Sequence, residues 1–305
     1  MSLIPMAPPV PVPLAGGFDY VTVDAVHRRV YAAHTGASSL LIVNADTGAV
    51  IRQIAVGPMH GVAYNADGTK VYTGNGDAKS VSESDPETFK ISRTVSVAGP
   101  VDAIAYDPSN DHIYADEDDG TQVFVIDAKT MKQIGTVKLP GHKPEYLAVD
   151  PVTHSLYQNI ADLSEIAVVD PATLAVVSTI KTPELTSNHP LQYDTEFQEI
   201  VVGGANGVLS VYDRFGKKKF QTDMPTHIDQ CDLDSGTHML ACAGGTAISV
   251  FEISAATAPK LIATYSGAMH VHTVAIDRRT HDIWAVFVDE GSTNSGFVQR
   301  FAVEQ

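Results

Sequence analysis

The sequence predicts an all-β chain folded as a seven-bladed β-propeller with four-stranded blades. Three observations support this: a pattern that returns about every 42 residues, four strand signals in each repeat, and the lack of any stretch with the apolar spacing and caps of a long helix. Seven copies of a repeat this long indicate a closed ring. Seven blades fit the 305 residues as one domain, 1–305.

The repeat is anchored by an Asp or Asn that closes a short apolar run. These seven closing residues are Asp24, Asn65, Asp107, Asp150, Asp194, Asp234 and Asp277. The residue five positions before each one is always an acid or a histidine: Asp19, His60, Asp102, Glu145, His189, Asp229 and His272. The chain has 36 Asp and Glu and 12 His among 305 residues, so chance does not explain seven such residues at one position of the repeat.

Each repeat carries signals for four strands. The first is apolar with small residues interleaved, as in residues 62–64, and a turn rich in Asp, Gly and Thr follows at residues 66–69. The third strand is clearest at residues 123–127, and the fourth at residues 50–54. The second strand opens with a large apolar or aromatic residue, in order Tyr31, Tyr72, Tyr114, Tyr157, Val202, Leu240 and Trp284.

The two ends of the chain predict how the ring closes. After Asp277 there is room for two more strands, around residues 283–288 and 297–303, but not for a third. Near the N-terminus three prolines alternate with apolar residues over residues 9–14, which leaves amides on one side of an extended segment only. We therefore expect Val10 to Leu14 to pair with the last C-terminal strand as the outermost strand of the seventh blade.

The composition of the chain argues against some classes of binding partner. A net charge of -16 and a pI near 5.0 argue against nucleic acid or an anionic membrane as the main partner, since both need a basic face. No apolar run reaches membrane-spanning length, and the first residues lack the regions of a signal peptide. Cys231 and Cys242 fall on neighbouring strands and are expected to be buried thiols, because bridges between adjacent paired strands are strained.

The sequence at residues 70–75, Lys-Val-Tyr-Thr-Gly-Asn, followed in later repeats by Val-Ile-Asp-Ala-Lys-Thr at residues 125–130 and Val-Asp-Pro-Ala-Thr at residues 169–173, resembles the YVTN-repeat or YncE-like seven-bladed propellers. The resemblance is good over repeats two to four and loose in repeats five to seven. It implies a propeller scaffold and favours a periplasmic or exported protein. It carries no catalytic residue across, so function has to be argued from the charged residues of the repeat.

In a propeller the first strand of each blade lines the central channel, so the seven acids and histidines form a ring at one mouth. His60, His189 and His272 fall in blades two, five and seven, the most even triangle that a seven-fold ring permits. This predicts a three-histidine site for Zn, Fe or Cu on the axis. Asp19, Asp102, Glu145 and Asp229 then support the histidines, add a fourth ligand or act as a general base. A water-filled pore without metal and a hard-cation site of the carboxylates are the alternatives.

A second metal site between blades six and seven is also consistent with the sequence. His227 with Asp229, and His270 with His272, are pairs spaced by two, so each pair points one way if it lies in a strand. The site would use His227, His270 and His272. Five further histidines, His27, His112, His154, His238 and His281, fall in turns at the opposite face and are expected to be turn and surface residues, whereas His34 and His142 lie on the side of the ring.

Another set of equivalent residues lies three positions after the residue that opens each second strand. These residues should border the same mouth of the channel. They are polar in blades one to three, with His34, Asn75 and Glu117, and apolar in blades four to seven, ending with Phe287. This division is typical of a small-molecule pocket, although an ordinary blade surface would also account for it. Glu117, Asp102 and Glu145 are the candidate acids or bases, Glu117 because neighbouring carboxylates would raise its pKa.

Together these features predict a metal-dependent enzyme that acts on a small organic substrate at the mouth of the central channel. The simplest chemistry is hydrolysis of an ester or lactone by a metal-bound water, with a carboxylate taking the proton. The same site could hold redox-active iron or copper, and a non-catalytic propeller that binds a ligand or protein is the other alternative. The sequence has no G-x-S-x-G, P-loop, H-E-x-x-H or C-x-x-C motif.

Overall fold

The strands form where the sequence alternates apolar and polar residues or runs apolar throughout. In the computed structural model, which describes residues 1–244, 246–267, 270–289 and 294–304, they build seven antiparallel sheets arranged as a propeller. The second and third strands of each blade are buried and, apart from residues 80–85, mostly apolar, whereas the fourth strands are largely exposed. Each of the seven large residues predicted to open a second strand is at most 2% exposed.

Two N-terminal strands, β1 (Ser2–Pro5) and β2 (Val10–Ala15), precede the first blade. Blade 1 consists of β3 (Val21–Asp24), β4 (Arg29–His34), β5 (Ser39–Asn44) and β6 (Val50–Ala55). Blade 2 consists of β7 (Met59–Tyr64), β8 (Val71–Asn75), β9 (Ser80–Asp85) and β10 (Lys90–Ser96). Blade 3 consists of β11 (Val101–Asp107), β12 (His112–Glu117), β13 (Gln122–Asp127) and β14 (Lys132–Lys138).

Blade 4 consists of β15 (Pro144–Val149), β16 (Leu156–Ile160), β17 (Glu165–Asp170) and β18 (Ala175–Lys181). Blade 5 consists of β19 (Asn188–Asp194), β20 (Glu199–Gly204), β21 (Val208–Asp213) and β22 (Lys218–Asp223). Blade 6 consists of β23 (Gln230–Asp234), β24 (Met239–Gly244), β25 (Ala247–Glu252) and β26 (Lys260–Ser266). Blade 7 contains β27 (Thr273–Ile276), β28 (Ile283–Asp289) and β29 (Ser295–Glu304). Within the described ranges the helical structure is one 3-10 turn, Thr35–Ala37, and no helix is long and apolar enough to span a membrane.

The ring closes as predicted, through the N-terminus and β29. In β2, Val10 pairs with Val298 and Pro11 with Phe297, so the proline-rich segment forms an outer strand of blade 7. The structure adds β1, which pairs with the other half of β29 from Phe301 to Glu304. The long last strand therefore holds two short N-terminal strands, one after the other, along its outer edge.

The two cysteines form a disulfide, so the prediction of buried thiols is wrong. Cys231 in β23 and Cys242 in β24 are direct cross-strand partners whose Cα atoms lie 4.0 Å apart, and their sulfur atoms are bonded. Both residues are buried in blade 6. Strain disfavours such a bridge as a general rule, but direct pairing brings the two side chains close enough to form it.

A column of apolar residues in the first strands packs into the core. These residues lie three positions before the closing residues, and six of the seven are buried: Val21, Val62, Leu147, Leu191, Cys231 and Val274. The closing residues lie at the opposite end of the first strand from the charged ring. We call the face with the ring the upper face and the opposite one the lower face.

Candidate functional site

The seven acids and histidines of the repeat lie at the upper mouth of the channel, where contacts between neighbouring blades join them into two groups. In the first group, His60 Nδ1 lies 2.7 Å from Asp19 Oδ2 and 3.8 Å from Asp102 Oδ1. The second group runs through blades 4 to 7. His189 Nδ1 lies 3.1 Å from Glu145 Oε2, and its Nε2 lies 2.6 Å from Asp229 Oδ1.

His272 extends the second group. Its Nδ1 lies 3.3 Å from the other Asp229 oxygen, Oδ2, so this carboxylate lies between two histidines. His272 is about half exposed, whereas the other six residues of the ring expose between 18% and 30% of their side chains. The ring is therefore accessible from the upper face while its charges remain partly shielded from water.

Local irregularities in the inner strands place several of these side chains. The pairing between first and second strands slips at the ring position in four successive blades, between Met59 and Val62, Val101 and Ile104, Pro144 and Leu147, and Asn188 and Leu191. Such a bulge adds one residue to the first strand and changes the direction of its side chains. In blade 2 the bulge requires a glycine. A Cβ at Gly61 would lie 2.5 Å from the carbonyl oxygen of Asp102 in the next blade, which is too close.

The bulge of blade 3 exposes a backbone amide that a buried acid accepts. Asp116 Oδ1 accepts the Ala103 N–H at 2.7 Å, and its Oδ2 accepts a hydrogen bond from Gln158 at 3.0 Å. Asp116 is fully buried, and this burial, with the nearby charge of Asp102, raises its pKa well above the ordinary value. The sequence prediction missed this residue. A sequence signal does exist. At the repeat position two residues after the opening of the second strand, the other six blades have small, apolar or Asn residues, and only blade 3 has a charged residue, Asp116.

Electrostatics distinguish the two groups. Burial raises the pKa of Asp102 well above its usual range, and the charges of Asp19 and Glu145 add to this, whereas His60 opposes it. The hydrogen bond to Asp19 raises the pKa of His60 despite its burial. In the first group, the single imidazole of His60 thus does not supply enough positive charge to offset the repulsion between the neighbouring carboxylates.

In the second group burial would lower the pKa of His189, but its hydrogen bonds to Asp229 and Glu145 raise it to about 11. The Asp229 carboxyl shows the reverse effect: burial alone would raise its pKa, and the contacts with His189 and His272 hold it below the usual range. His189 is therefore an imidazolium with both ring nitrogens on carboxylates at neutral pH.

One set of side chains has the geometry of a metal site. Ligand atoms of Asp19, His60 and Asp102 all lie within 4.8 Å of one another, and across the described ranges of the chain no other set of three His, Cys, Asp or Glu does. Two carboxylates and one imidazole are a donor set that suits divalent transition metals. His60, His189 and His272 do not come together in this arrangement, so the three-histidine site stays a prediction, as does the site of His227 and His270.

A floor of three side chains lies directly below the ring. Tyr20 and Tyr146 face each other across the channel with ring centroids 5.7 Å apart, and Gln230 Nε2 donates to Asp19 Oδ1 at 3.2 Å. Burial and the charges of Asp102 and Asp19 raise the pKa of Tyr20, so its hydroxyl stays protonated. This floor separates the ring from the lower half of the channel.

The predicted pocket column lies inside the blades. His34 is fully buried, where its Nε2 bonds to the Gly16 carbonyl at 3.1 Å, and burial lowers its pKa. The amide of buried Asn75 donates to Ser80 and Ser82 of its own blade, and buried Phe287 packs on Phe297.

Glu117, the candidate acid of this column, is hydrogen bonded within its own blade. Its Oε2 accepts hydrogen bonds from the Thr121 amide and from Gln122, each at 3.1 Å. Of the predicted acids and bases, Asp102 and Glu145 are the ones that the structure places at the mouth beside the histidines.

Comparison with known proteins supports the fold alone. No protein-family model matches the chain, and no curated protein matches it. A chain of hydrazine synthase from Kuenenia stuttgartiensis is similar to it with a TM-score of 0.81 and 16% identity, covering 97% of this chain and 98% of that one. A chain of the mitotic checkpoint complex is similar with a TM-score of 0.83 and 14% identity, covering 99% of this chain and 92% of that one.

Proposed function

We propose that this propeller is a metal-dependent enzyme whose site lies at the upper mouth of the channel, with Asp19, His60 and Asp102 as the ligands of one divalent ion. The observation that supports this most directly is the approach of these three ligand atoms to within 4.8 Å of one another. The raised pKa of Asp102 agrees with it, because a carboxyl that holds its proton at this position lacks a nearby positive charge.

The donor set fits Zn or Fe, and it also fits Cu because imidazole binds that metal too. A bound divalent ion would supply positive charge and lower the pKa of a water molecule, which is the usual basis of hydrolysis at such sites. Hydrolysis of a small ester or lactone is the reaction that we propose.

The remaining ring residues supply the rest of the proposed chemistry. Glu145 is the next carboxylate around the ring and accepts the proton of the attacking water. The His189 imidazolium, held between Glu145 and Asp229, is a fixed positive charge beside the site that favours a developing oxyanion. Tyr20 and Tyr146 close the channel below the substrate and limit the entry of water from the lower side.

We also propose that the scaffold is related to the YVTN-repeat propellers. This depends on residues 70–75 of blade 2, 125–130 of blade 3 and 169–173 of blade 4, and it concerns the blades rather than the mouth. The relationship is compatible with hydrolysis, with redox chemistry and with a non-catalytic role alike.

Metal binding is tested with protein purified without added metal, by elemental analysis and by titration with Zn²⁺, Fe²⁺, Cu²⁺ and Mn²⁺. We expect near-stoichiometric binding that rises in affinity with pH, because the Nδ1 proton of His60 must leave before the nitrogen can bind a cation. Asp19→Asn, His60→Ala and Asp102→Asn should each weaken binding at least about tenfold. His142→Ala, an exposed histidine on the same face, is the matched control and should bind as the wild type does.

The same variants separate the alternatives. Loss of metal in His189→Ala and His272→Ala, with Asp19→Asn and Asp102→Asn unaffected, would favour the three-histidine site instead. Metal binding without hydrolysis of any ester or lactone, but with redox cycling of bound iron or copper, would favour an oxidoreductase. Folded protein that binds none of the four ions would refute the metal site and leave a non-catalytic binding propeller.

A further inference from the structure

The channel holds a second cavity below the floor formed by Tyr20, Tyr146 and Gln230. It has a volume of about 260 Å³ and opens toward the lower face. The space exists because the residues two positions before the closing residues are mostly small, and four of them line the cavity: Thr22, Ala63, Ala105 and Asp232. The mechanism proposed for the upper mouth does not use this cavity.

One wall of the cavity carries an ion pair between blades 6 and 7. Arg278 holds both oxygens of Asp232, with Nη2 donating to Oδ1 at 2.6 Å and Nη1 to Oδ2 at 2.8 Å. The pair is the charged part of the cavity lining, so the lining carries no net charge in a chain of net charge -16. A cavity of this kind does not select for a cation or an anion.

The pair still offers hydrogen-bonding capacity to a ligand. Of the five N–H donors of a guanidinium, the contacts among the described residues engage three, two with Asp232 and one with the Ile276 carbonyl. Asp232 also accepts the Ile276 N–H, which leaves room for one more donor at the carboxylate. Adjacent donors and acceptors of this kind match a hydroxyl group, which both accepts and donates.

The other walls combine tyrosine rings and aliphatic side chains with the polar groups of Thr22 and Gln230. The rings of Tyr20 and Tyr146 form the upper end, tilted by 40° to each other, and Ala63 and Ala105 line the side. Aromatic walls with a few polar groups at one side are typical of small-molecule sites, and this volume lies just below the range that holds drug-sized ligands. Arg278 exposes 41% of its side chain, so the wall is reached from the lower face.

We propose that the lower half of the channel is a second binding site, for a neutral polyhydroxylated molecule of about monosaccharide size. The hydroxyl groups of the ligand bond to the Arg278 and Asp232 pair, and its C–H face packs on the tyrosine rings. The site is separate from the metal site because the floor lies between them.

The test uses isothermal titration calorimetry and saturation-transfer NMR with D-glucose, D-galactose, D-mannose and myo-inositol, and with gluconate and glucosamine as charged comparators. We expect at least one neutral probe to bind more tightly than both charged ones. Ala105→Leu fills the cavity without altering the ion pair and should weaken binding at least tenfold. Ala63→Leu fills it from blade 2 and serves as a second variant if the first does not fold.

Two controls make the outcome decisive. Ala175→Leu makes the same change on the exposed strand β18 and should bind like the wild type. His60→Ala removes a proposed metal ligand and should also leave the binding of the neutral probe unchanged. Tighter binding of gluconate or glucosamine, neutral binding that survives both filled variants, or a folded wild type that binds none of the neutral probes would each overturn the proposal.

Discussion

The two ends of the inner strands carry acids of the same type with opposite surroundings. At the lower face the closing residues accept hydrogen bonds from backbone amides of their own turns, as Asp150 does from Val152 and Asp234 from Gly236. All seven closing residues do so, including Asn65. At the upper mouth the ring acids instead bond to side chains of neighbouring blades, as Asp19 does to His60 and Asp229 to His189.

This difference changes the protonation of the acids. Burial alone would raise the pKa of Asp234, but hydrogen bonds from Thr237 and His281 and from the turn hold it below the usual range. Asp150 behaves in the same way through Thr153 and Val152. Burial and like charges raise the pKa of Asp102. Backbone amides thus tie the seven closing residues, which we call the lower ring, to the fold. The seven acids and histidines at the mouth, which we call the upper ring, instead direct their charges at side chains of neighbouring blades.

The largest expected effect is on stability at the lower ring. Asp234→Ala removes the acceptor of the Gly236 amide, the Thr237 hydroxyl and the His281 ring. We expect the free energy of unfolding to fall by about 2–4 kcal/mol at pH 7, because one buried carboxylate holds all three of these donors, in its own turn and in the next blade. Urea unfolding followed by circular dichroism measures this.

Asp102→Asn is the matched change at the upper ring and should leave stability unchanged or raise it by about 1 kcal/mol at pH 7. The raised pKa means that the folded protein binds a proton which the unfolded chain releases. The contribution of Asp102 to the free energy of unfolding of the wild type therefore falls as the pH rises from the carboxyl pKa of the unfolded chain toward the raised pKa of the folded protein. The benefit of Asp102→Asn should disappear below about pH 4, near the unfolded pKa. A cost as large as that of Asp234→Ala would contradict the comparison.

The charge that the upper ring retains should itself affect stability. Because the pKa of His189 is raised to about 11 in the folded protein, its contribution to stability is complete below the unfolded histidine pKa. The contribution is lost as the pH rises through the folded value. His189→Gln should therefore lower the free energy of unfolding by about 2 kcal/mol at pH 6, and by progressively less toward pH 11.

Nitrogen chemical shifts of the histidine rings provide the direct measurement. His189 should stay an imidazolium from pH 5 to pH 9. His34, also near the upper face, is the comparison residue with the opposite pKa shift. Burial lowers its pKa, and its Nε2 bonds to a backbone carbonyl instead of a carboxylate. It should remain neutral at pH values where exposed histidines are protonated. A His189 signal that titrates near an ordinary histidine pKa would show that His189 is not held between the carboxylates of Glu145 and Asp229.

Sequence reasoning captured the architecture because a propeller is specified by period and pattern. The spacing of the closing residues indicated the blade count, and the alternation of Pro11 and Pro13 with apolar residues indicated the outer strand of blade 7. Strand β1 was missed because its four residues carry too short a pattern. The Cys231–Cys242 bridge was missed because strand adjacency sets proximity more strongly than a general rule about strain.

The site was predicted only in part. The position of Asp19, His60 and Asp102 within the repeat is a sequence property, so the ring and its depth could be derived. Which histidine meets which acid depends on the bulges at the start of the inner strands and on side-chain rotation, neither of which has a simple sequence signal. Asp116 falls outside the repeating column, so a search for regularity passed over it.

The smallest expected effect is at a histidine that contacts the lower ring. His281 lies in the turn of blade 7, about half exposed, and its Nδ1 lies 2.7 Å from Asp234 Oδ2 of blade 6. His281→Ala should lower the free energy of unfolding by only about 0.5 kcal/mol, because Asp234 keeps its bonds to Gly236 and Thr237.

Urea unfolding of His281→Ala, Asp234→Ala and the double variant gives the coupling between the two residues. A double variant no less stable than Asp234→Ala would show that the histidine acts only through this acid. A loss in His281→Ala approaching that of Asp234→Ala would instead show that contact between blades, rather than the turn amide and hydroxyl, holds the lower ring together.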